Sequence, residues 1–223
     1  MEKKKIVAIY TRVSTIEQAE EGYSIEEQER LLKEYCRKND YEIYKVYSTA
    51  TDFYIGMDED GLIHAGDGLD QVTWMDVRVG DYVVTPRHGK PVEINALWYN
   101  ALRIMDILSK EFGEETDEYS NLAEKVKESF NNKFWNEETQ CLLDVVDEND
   151  DKIRPNQIWA VSLPFTMLDS KKEKAIVDTV YKHLYATYGL RSLSFMDEEY
   201  KSKYIGKLFD RDCAYHMGTT WAF

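Results

Sequence analysis

Apolar residues recur at helical spacing between residues 91 and 184, and this periodicity constrains the fold more than any other feature of the chain. Pro91 suits the first turn of a helix, where its missing N–H costs nothing. After it, one apolar stripe is formed by Ile94, Leu97, Trp98, Ala101, Met105, Leu108 and Phe112. Because residues three and four apart share one face of an α-helix, the stripe predicts a helix that ends near Phe112.

Three further helices are predicted after this one. The second spans about Asp117 to Phe134, with an inward face of Tyr119, Leu122, Ala123, Val126 and Phe130. The third opens at Pro155. Ser170 and Glu173 form a capping box for the fourth, which is expected to bury Ile176, Val180, Tyr181 and Leu184. Residues 136–151 suggest a hairpin-like excursion. Helix pairs joined by long loops predict an array or toroid of α-hairpins, not a sheet.

The first 48 residues have a different pattern. Ile6 to Tyr10 is a short apolar run rich in β-branched residues, typical of a buried parallel strand. Ser24 and Glu27 form a capping box for a helix that carries apolar residues through Tyr35. Residues 41–47 alternate as a second strand would. Together these segments predict one small βαβ unit with a right-handed crossover.

The opening segment carries a motif as well as a pattern. It reads Tyr10-Thr11-Arg12-Val13-Ser14-Thr15, then Gln18, then Gly22-Tyr23-Ser24-Ile25-Glu26-Glu27-Gln28. This closely resembles the amino end of large serine recombinases through about Ser48. The resemblance implies that Ser14 is the nucleophile that attacks a DNA phosphodiester. It also implies that Arg12 holds the scissile phosphate, with Gln18 and Tyr10 as neighbours.

Catalysis by Ser14 is not expected in this chain, and solvated loop residues are the alternative interpretation of Ser14 and Arg12. A hydroxyl nucleophile needs activation and a cationic clamp on the phosphate, and the family supplies that clamp from arginines beyond the second strand. Here the sequence changes character at residues 49–52. Residues 49–223 carry 19 Lys/Arg against 32 Asp/Glu, or −13 of the net −14. Such an acidic surface repels DNA.

Composition excludes several other classes of protein. Cys36, Cys141 and Cys213 are too far apart for a metal or redox motif, and three is an odd number for a disulfide framework. No two histidines have metal-ligand spacing. We therefore expect reduced thiols, no metal and no cofactor. No apolar run approaches the roughly 18 residues that span a bilayer, and Arg12 is too close to the start for a secretory signal. The expected location is the cytoplasm.

Five motifs beyond residue 53 occur in a fixed order. They are Thr73-Trp74-Met75-Asp76, residues 85–95 from Thr85 to Asn95, Arg154-Pro155-Asn156-Gln157, residues 188–193 from Tyr188 to Leu193, and residues 211–221 from Arg211 to Trp221. This set is very similar to the amylo-α-1,6-glucosidase domain of glycogen-debranching enzymes. The resemblance covers residues 53–223 and implies part of an (α/α)6 barrel. The chain is therefore expected to be mainly α, with a recombinase-like βαβ unit at 1–48, a junction at 49–52 and the glucosidase part at 53–223.

The resemblance implies inverting hydrolysis of α-1,6-linked glucose at a branch point of an α-glucan. That reaction uses one carboxyl group as acid and another as base, about 6.5–9.5 Å apart. The acid of the family is the aspartate of the T-W-M-D motif, here Asp76. The base of the family is a glutamate well beyond the G-T-x-W segment, so it falls outside the 223 residues. We therefore expect this chain to be inactive by itself.

The remaining candidate site residues are sugar ligands, each with a structural alternative. Trp74 and Trp98 are stacking platforms or core residues, and Arg87 and Glu93 are sugar ligands or an ion pair. His88 and His216 are sugar ligands or ordinary loop histidines. The other candidates, which would shape subsites, are Asn156, Gln157, Arg191, Arg211, Asp212 and Trp221. The general rationale is that indole faces stack on pyranose rings, while Asp, Arg and amides hydrogen-bond the hydroxyls.

Three functions remain open at this point: a glucosidase fragment, a recombinase fragment, or a glucan-binding remnant without catalysis. A toroid that lacks some of its hairpins leaves apolar helix faces uncovered. We expect this loss of cover at Leu97, Met105 and Leu108 on the first helix. We expect it also at Ile176, Val180 and Leu184 on the fourth.

Overall fold

A computed structural model describes residues 5–12, 25–49, 55–114, 116–148 and 150–223. The chain divides into two compact units, Met1–Ile55 and Gly56–Phe223. In the smaller unit, strand β1 (Ile6–Arg12) pairs in parallel with β2 (Glu42–Thr49), and helix α1 (Ile25–Lys38) connects them. The predicted βαβ unit is confirmed, whereas Ser24 lies outside the described residues. Ile9 and Cys36 are buried, but Leu31 and Tyr35 on α1 are exposed.

The larger unit is built from three long helices and short hairpins. The helices are α2 (Val92–Glu111), α3 (Glu118–Phe134) and α5 (Ser170–Leu184), and a 3₁₀ turn (Pro155–Ile158) runs into the single-turn α4 (Trp159–Ser162). A further short helix, α6, spans Leu208–Asp212. This helix-rich unit is compatible with a mainly α glycosidase domain. None of the helices in the described ranges has the length and apolar content needed to cross a membrane.

Short antiparallel ladders hold the loops between the helices. The two-stranded pairs are β3 (Gly56–Met57) with β4 (Ile63–His64), β5 (Arg78–Val79) with β6 (Tyr82–Val83), and β7 (Trp135–Asn136) with β8 (Cys141–Leu142). A three-stranded sheet has the order β11 (Thr220–Trp221), β10 (Gly189–Arg191), β9 (Tyr185–Ala186). The β7–β8 pair is the predicted excursion after residue 136.

One apolar core joins the long helices. It contains Val92, Ala96, Tyr99 and Leu102 from α2, Ala123, Val126, Phe130 and Phe134 from α3, and Ile176, Val180 and Leu184 from α5. A smaller cluster of Val84, Leu193, Cys213 and Met217 lies among the loops. The inward face predicted for α3 is confirmed at Ala123, Val126 and Phe130, and that for α5 at Ile176, Val180 and Leu184. The expected loss of cover on α5 was therefore wrong.

The face predicted for α2 was also wrong. Leu97, Met105 and Phe112 are 42%, 41% and 78% exposed, so the predicted stripe lies largely on the surface. The buried face includes polar residues, because Asn95 and Asn100 pair with loop backbone. Asn95 bonds both the N–H and the C=O of Ile63, and Asn100 does the same for Phe165. Apolar periodicity therefore favoured the opposite face. The exposure expected at Leu97, Met105 and Leu108 is confirmed.

Two details at helix α5 differ from the prediction. Its N-cap is Asp169, whose side chain accepts hydrogen bonds from the backbone N–H groups of Lys171 and Lys172. Aspartate satisfies the free N–H groups of the first turn as well as serine does, so the helix begins at Ser170 without using it as a cap. Tyr181 is 67% exposed and stacks on Tyr185 at 5.2 Å, because it lies beside the buried stripe.

Candidate active site

A buried chain of hydrogen bonds connects the T-W-M-D loop to the first turn of α2. The indole Nε1 of Trp74 donates to Oδ1 of Asn156 at 2.7 Å, and Nδ2 of Asn156 donates to Oδ1 of Asp144 at 2.7 Å. Arg87 Nε donates to Oδ2 of Asp144 at 2.6 Å. The Arg87 guanidinium also donates hydrogen bonds to both carboxylate oxygens of Glu93, at 2.5 and 2.7 Å. The orientation of the Trp74 ring is thereby tied to the helical core.

The positive and negative charges of this hydrogen-bond network balance each other in a buried environment. The side chains of Arg87, Glu93 and Asp144 are 1%, 4% and 2% exposed, and Arg154 Nε lies 3.7 Å from Oδ2 of Asp144. Burial by itself lowers the pKa of Arg87, but the two carboxylates outweigh it and raise that pKa. The backbone of Arg87 has a φ of 48°, a strained value for a residue with a side chain. The ion pairs hold this residue in place.

Arg154 connects three loops of the site. Its Nη1 donates to the backbone oxygens of Ser192, at 3.1 Å, and His216, at 2.9 Å. Burial is the largest influence on this guanidinium and lowers its pKa, although Asp144 acts in the opposite direction. Ser192 Oγ in turn accepts from the N–H of Gly218 at 3.0 Å. The motifs around residues 154, 192 and 216 therefore meet at one buried guanidinium.

Aromatic rings surround the outer end of the network. Trp74 makes edge contacts with the rings of His216, Trp221 and Phe223, at centroid distances of 5.1, 5.5 and 5.5 Å. His216 and Trp221 stack at 5.4 Å with 27° between their planes, and Tyr215 packs edge-on against His216 at 4.7 Å. Clustered indole rings provide the apolar platforms on which sugar rings stack.

Asp76 stands at the edge of this aromatic cluster. Its side chain is 65% exposed, and its Oδ1 lies 3.9 Å from Nε2 of His216, which is wholly buried. Burial lowers the pKa of His216 to about 4, and Arg154 and Arg87 act in the same direction, whereas Asp76 opposes them. His216 is therefore neutral at pH 7. The site thus presents one accessible carboxyl group beside a neutral imidazole.

A cavity of about 1010 Å³ opens beside the cluster. Trp74, Glu93 and Trp221 contribute to its wall. The rest of the lining is mainly apolar and comes from α2, α5 and the residues around β9 and β10, including Leu97, Val180 and Leu190.

Three other candidate ligands have hydrogen-bond partners of their own. Trp98 packs on the main core and donates from Nε1 to the backbone oxygen of Gly61 at 3.1 Å. His88 Nε2 contacts the backbone oxygen of Asp70 at 3.0 Å. Arg191 donates to the backbone oxygen of Tyr185 at 2.7 Å. For these three residues, the role of sugar ligand stays a prediction.

The other candidates divide between the site and the surface. Gln157 is buried and accepts from the N–H of Leu142 at 3.3 Å, next to Asn156. Arg211 and Asp212 pair with each other at 2.8 Å at the end of α6, where Tyr204 also donates to Asp212. Within the described ranges, no group of three or more His, Cys, Asp or Glu side chains is arranged to hold a metal ion. Arg12 ends β1, and Ser14 lies outside the described residues.

Sequence reasoning missed the residue on which the network converges, Asp144. It follows β8 in a stretch without any motif, and the signal that points to it is its place between two polar turns after an apolar Cys141-Leu142-Leu143 run. Arg154 was quoted within a motif but was not assigned a role. Phe223 and Tyr215 were also missed, since a single aromatic residue carries little pattern.

Comparison with known proteins supports the second of the two resemblances. A family model described as amylo-alpha-1,6-glucosidase matches residues 8–223. The chain belongs to the amylo-α-1,6-glucosidase family. The match includes most of the first 48 residues, and the boundary near residue 53 stays a prediction. It identifies a glycoside hydrolase domain of the glycogen-debranching type.

A second comparison concerns a short stretch. Over 43 residues, or 19% of this chain, the sequence is 56% identical to "Uncharacterized immunity region protein 3" of Bacillus phage phi105. The chain spans 52% of that relative, about half of its length. The name of that relative says nothing of recombination, and the family match includes residues 8–48. Neither comparison supports the serine recombinase resemblance predicted for residues 1–48.

Proposed function

We propose that this chain is a glycogen-debranching domain that engages α-1,6-linked glucose of an α-glucan, with Asp76 as the general acid. The observation that carries the proposal is the position of Asp76: an accessible carboxyl group beside the Trp74, His216 and Trp221 rings. In the proposed reaction, Asp76 protonates the departing glycosidic oxygen. Trp74 and Trp221 serve as stacking platforms. The proposed architecture is part of an (α/α)6 barrel, which the packing of α2, α3 and α5 supports.

The buried carboxylates beside the site do not provide the base. In an inverting reaction the base must accept a proton from water on the far side of the sugar. Both oxygens of Glu93 are held by Arg87, and the oxygens of Asp144 are held by Arg87 and Asn156. A carboxylate whose oxygens are already engaged by buried donors is not positioned to accept a proton from water. We therefore expect that the 223-residue chain by itself releases no glucose from branched limit dextrin.

An external nucleophile such as azide tests whether Asp76 acts as a general acid, because it replaces the water that a base would have to activate. Azide attacks C1 of the branch glucose while the C1–O6 bond breaks, and Asp76 donates its proton to the departing oxygen. The products are β-glucosyl azide and a debranched glucan. Because azide needs no base, the expected result is β-glucosyl azide from limit dextrin with wild type and none with Asp76→Asn. Asp81→Asn, an exposed carboxylate close by in the sequence, is the matched control.

Each outcome of this assay decides one part of the proposal. Glucose release without azide that is lost in Asp76→Asn would show that another residue supplies the base. Azide product that survives Asp76→Asn would remove Asp76 from the mechanism. Absence of product together with absence of dextrin binding would contradict the glucan substrate itself.

A glucan-binding function without hydrolysis is the second candidate. The observation that favours it is the engagement of Glu93 and Asp144 in ion pairs, which keeps these two carboxylates from acting as a base while the aromatic platforms stay intact. Tryptophan quenching by limit dextrin that is lost in Trp74→Ala but kept in Trp98→Ala, with no azide product, would select this candidate. We also propose a cytoplasmic location, which is consistent with the free, buried thiols of Cys36, Cys141 and Cys213.

A further inference from the structure

His216 presents an unusual combination of burial and missing hydrogen bonds. Its side chain is wholly buried, yet neither ring nitrogen has a hydrogen-bond partner among the residues that the structure describes. Buried polar atoms are nearly always paired, because leaving one unpaired forfeits its hydration. An unpaired ring at this position therefore indicates a contact that the ring makes in another arrangement of the site.

The surroundings of the ring limit what that contact is. Trp74 and Tyr215 pack edge-on against the imidazole, and Trp221 covers one face, so the ring has little freedom to turn. Its Nε2 faces Oδ1 of Asp76 at 3.9 Å, which is about 1 Å longer than a hydrogen bond. Asp76 is the partner with room to move, since its side chain is 65% exposed.

The charge state of the ring decides its effect on an acid. Burial, Arg154 and Arg87 all lower the pKa of His216, and together they outweigh the opposing effect of Asp76, so the imidazole is neutral at pH 7. A neutral imidazole carries one N–H donor and one acceptor nitrogen. A cationic ring would favour the ionised carboxylate and remove the proton that a general acid must deliver. A neutral ring that donates a single hydrogen bond favours the ionised carboxylate much less than a cation does.

We propose that His216 is the positioning residue for Asp76. Asp76 swings inward in the resting protein, and the neutral ring donates from Nε2–H to Oδ1. This bond leaves Oδ2 free to carry the transferable proton toward the glycosidic oxygen. The proposal rests on the proposed role of Asp76 as general acid, but the bond itself is measurable without any sugar.

The test is the tautomer of His216, read from long-range ¹H–¹⁵N correlations of the uniformly labelled full chain. His216→Gln identifies the His216 signals among those of the four histidines. The expected result is the Nε2–H tautomer at pH 7, with no protonation of the ring down to about pH 5. Asp76→Ala removes the acceptor and should give a mixture of both tautomers. Asp81→Ala is the matched control, and it should leave the His216 signals unchanged.

Three results would overturn the proposal: a dominant Nδ1–H tautomer in wild type, titration of His216 near its ordinary value of about 6.5, or identical tautomers in wild type and Asp76→Ala. A second readout comes from the azide reaction, where His216→Gln, which retains a donor, should exceed His216→Phe by roughly tenfold, the worth of one strong hydrogen bond. Equal rates would contradict positioning. If the tautomer of His216 depends on Asp76 but no azide product forms, only the acid role of Asp76 is refuted. The two proposals therefore fail separately.

Discussion

Replacing Arg87 with methionine should destabilise the larger unit more than any surface substitution. Methionine fills much of the volume of the arginine stem but carries no charge. The change leaves Glu93 and Asp144 in a dry environment, at 4% and 2% exposure, with Arg154 3.7 Å from Asp144 as the nearest remaining cation. Removing one partner of a buried ion pair costs about 3–5 kcal/mol. Typical domains have about 5–15 kcal/mol in total.

Tryptophan fluorescence is a suitable probe for this loss. All five tryptophans lie between residues 74 and 221, so the signal reports the unit Gly56–Phe223 alone. The expected fall in the thermal midpoint is about 6–20 °C, since one kcal/mol corresponds to roughly 2–4 °C in a unit of this size. Arg78→Met is the matched control, because Arg78 is exposed on β5. It should change the free energy of unfolding by less than about 0.5 kcal/mol.

The stranded carboxylates, rather than the lost volume of the arginine, should account for most of this deficit. Adding Glu93→Gln and Asp144→Asn removes the stranded charges and should recover at least half of the loss. A loss below about 1 kcal/mol, or no recovery in the triple variant, would refute the reasoning.

Three other predictions concern the cap, the sheet and the charge. Asp169→Ala should lower the midpoint of urea unfolding, because two N–H groups of the first turn of α5 lose their acceptor, whereas Ser170→Ala should change it little; the reverse order would restore Ser170 as the cap. Gly189→Ala would place a Cβ 2.0 Å from the backbone oxygen of Trp221, so β10 and β11 must separate at a cost of about 1–3 kcal/mol; an unchanged melting midpoint and tryptophan spectrum would contradict that close approach. The chain should not retard duplex DNA in gel-shift titrations at physiological salt, because residues 49–223 carry a net −13; salt-sensitive retardation that depends on Ser14 would revive the recombinase interpretation.

The sequence predicted local structure well where one interaction dominated. Helix α3 was predicted within one residue, because Ala123, Val126 and Phe130 are apolar, evenly spaced and all buried. The βαβ unit was predicted because two β-branched runs flank a capped helix. Neither prediction required knowledge of distant contacts.

The prediction failed where polar residues face the core. On α2, the side chains of Asn95 and Asn100 are buried because each amide replaces a missing backbone partner in a loop 32 or 65 residues away. A pattern method counts such residues as exposed. It therefore selected the stripe through Leu97 and Met105, which the described structure leaves on the surface.

Sequence motifs predicted residues of the site but not the hydrogen bonds between them. Trp74 and Asn156 were both candidates, yet their hydrogen bond spans 82 positions. Asp144, which connects Asn156 to Arg87, belongs to no motif. A residue that satisfies several partners at once is visible only when those partners are brought together in space.

The arrangement separates the rigid part of the site from the part that reacts. The buried charges of Arg87, Glu93 and Asp144 hold Trp74 in place through Asn156. A substitution in the first turn of α2 should therefore change the position of the T-W-M-D loop. Asp76 is two residues farther on and stands outside the network. It can therefore be substituted without unfolding the domain, and its carboxyl group can move by the ångström that a bond to His216 requires. An acid that must both hold and release a proton needs that freedom.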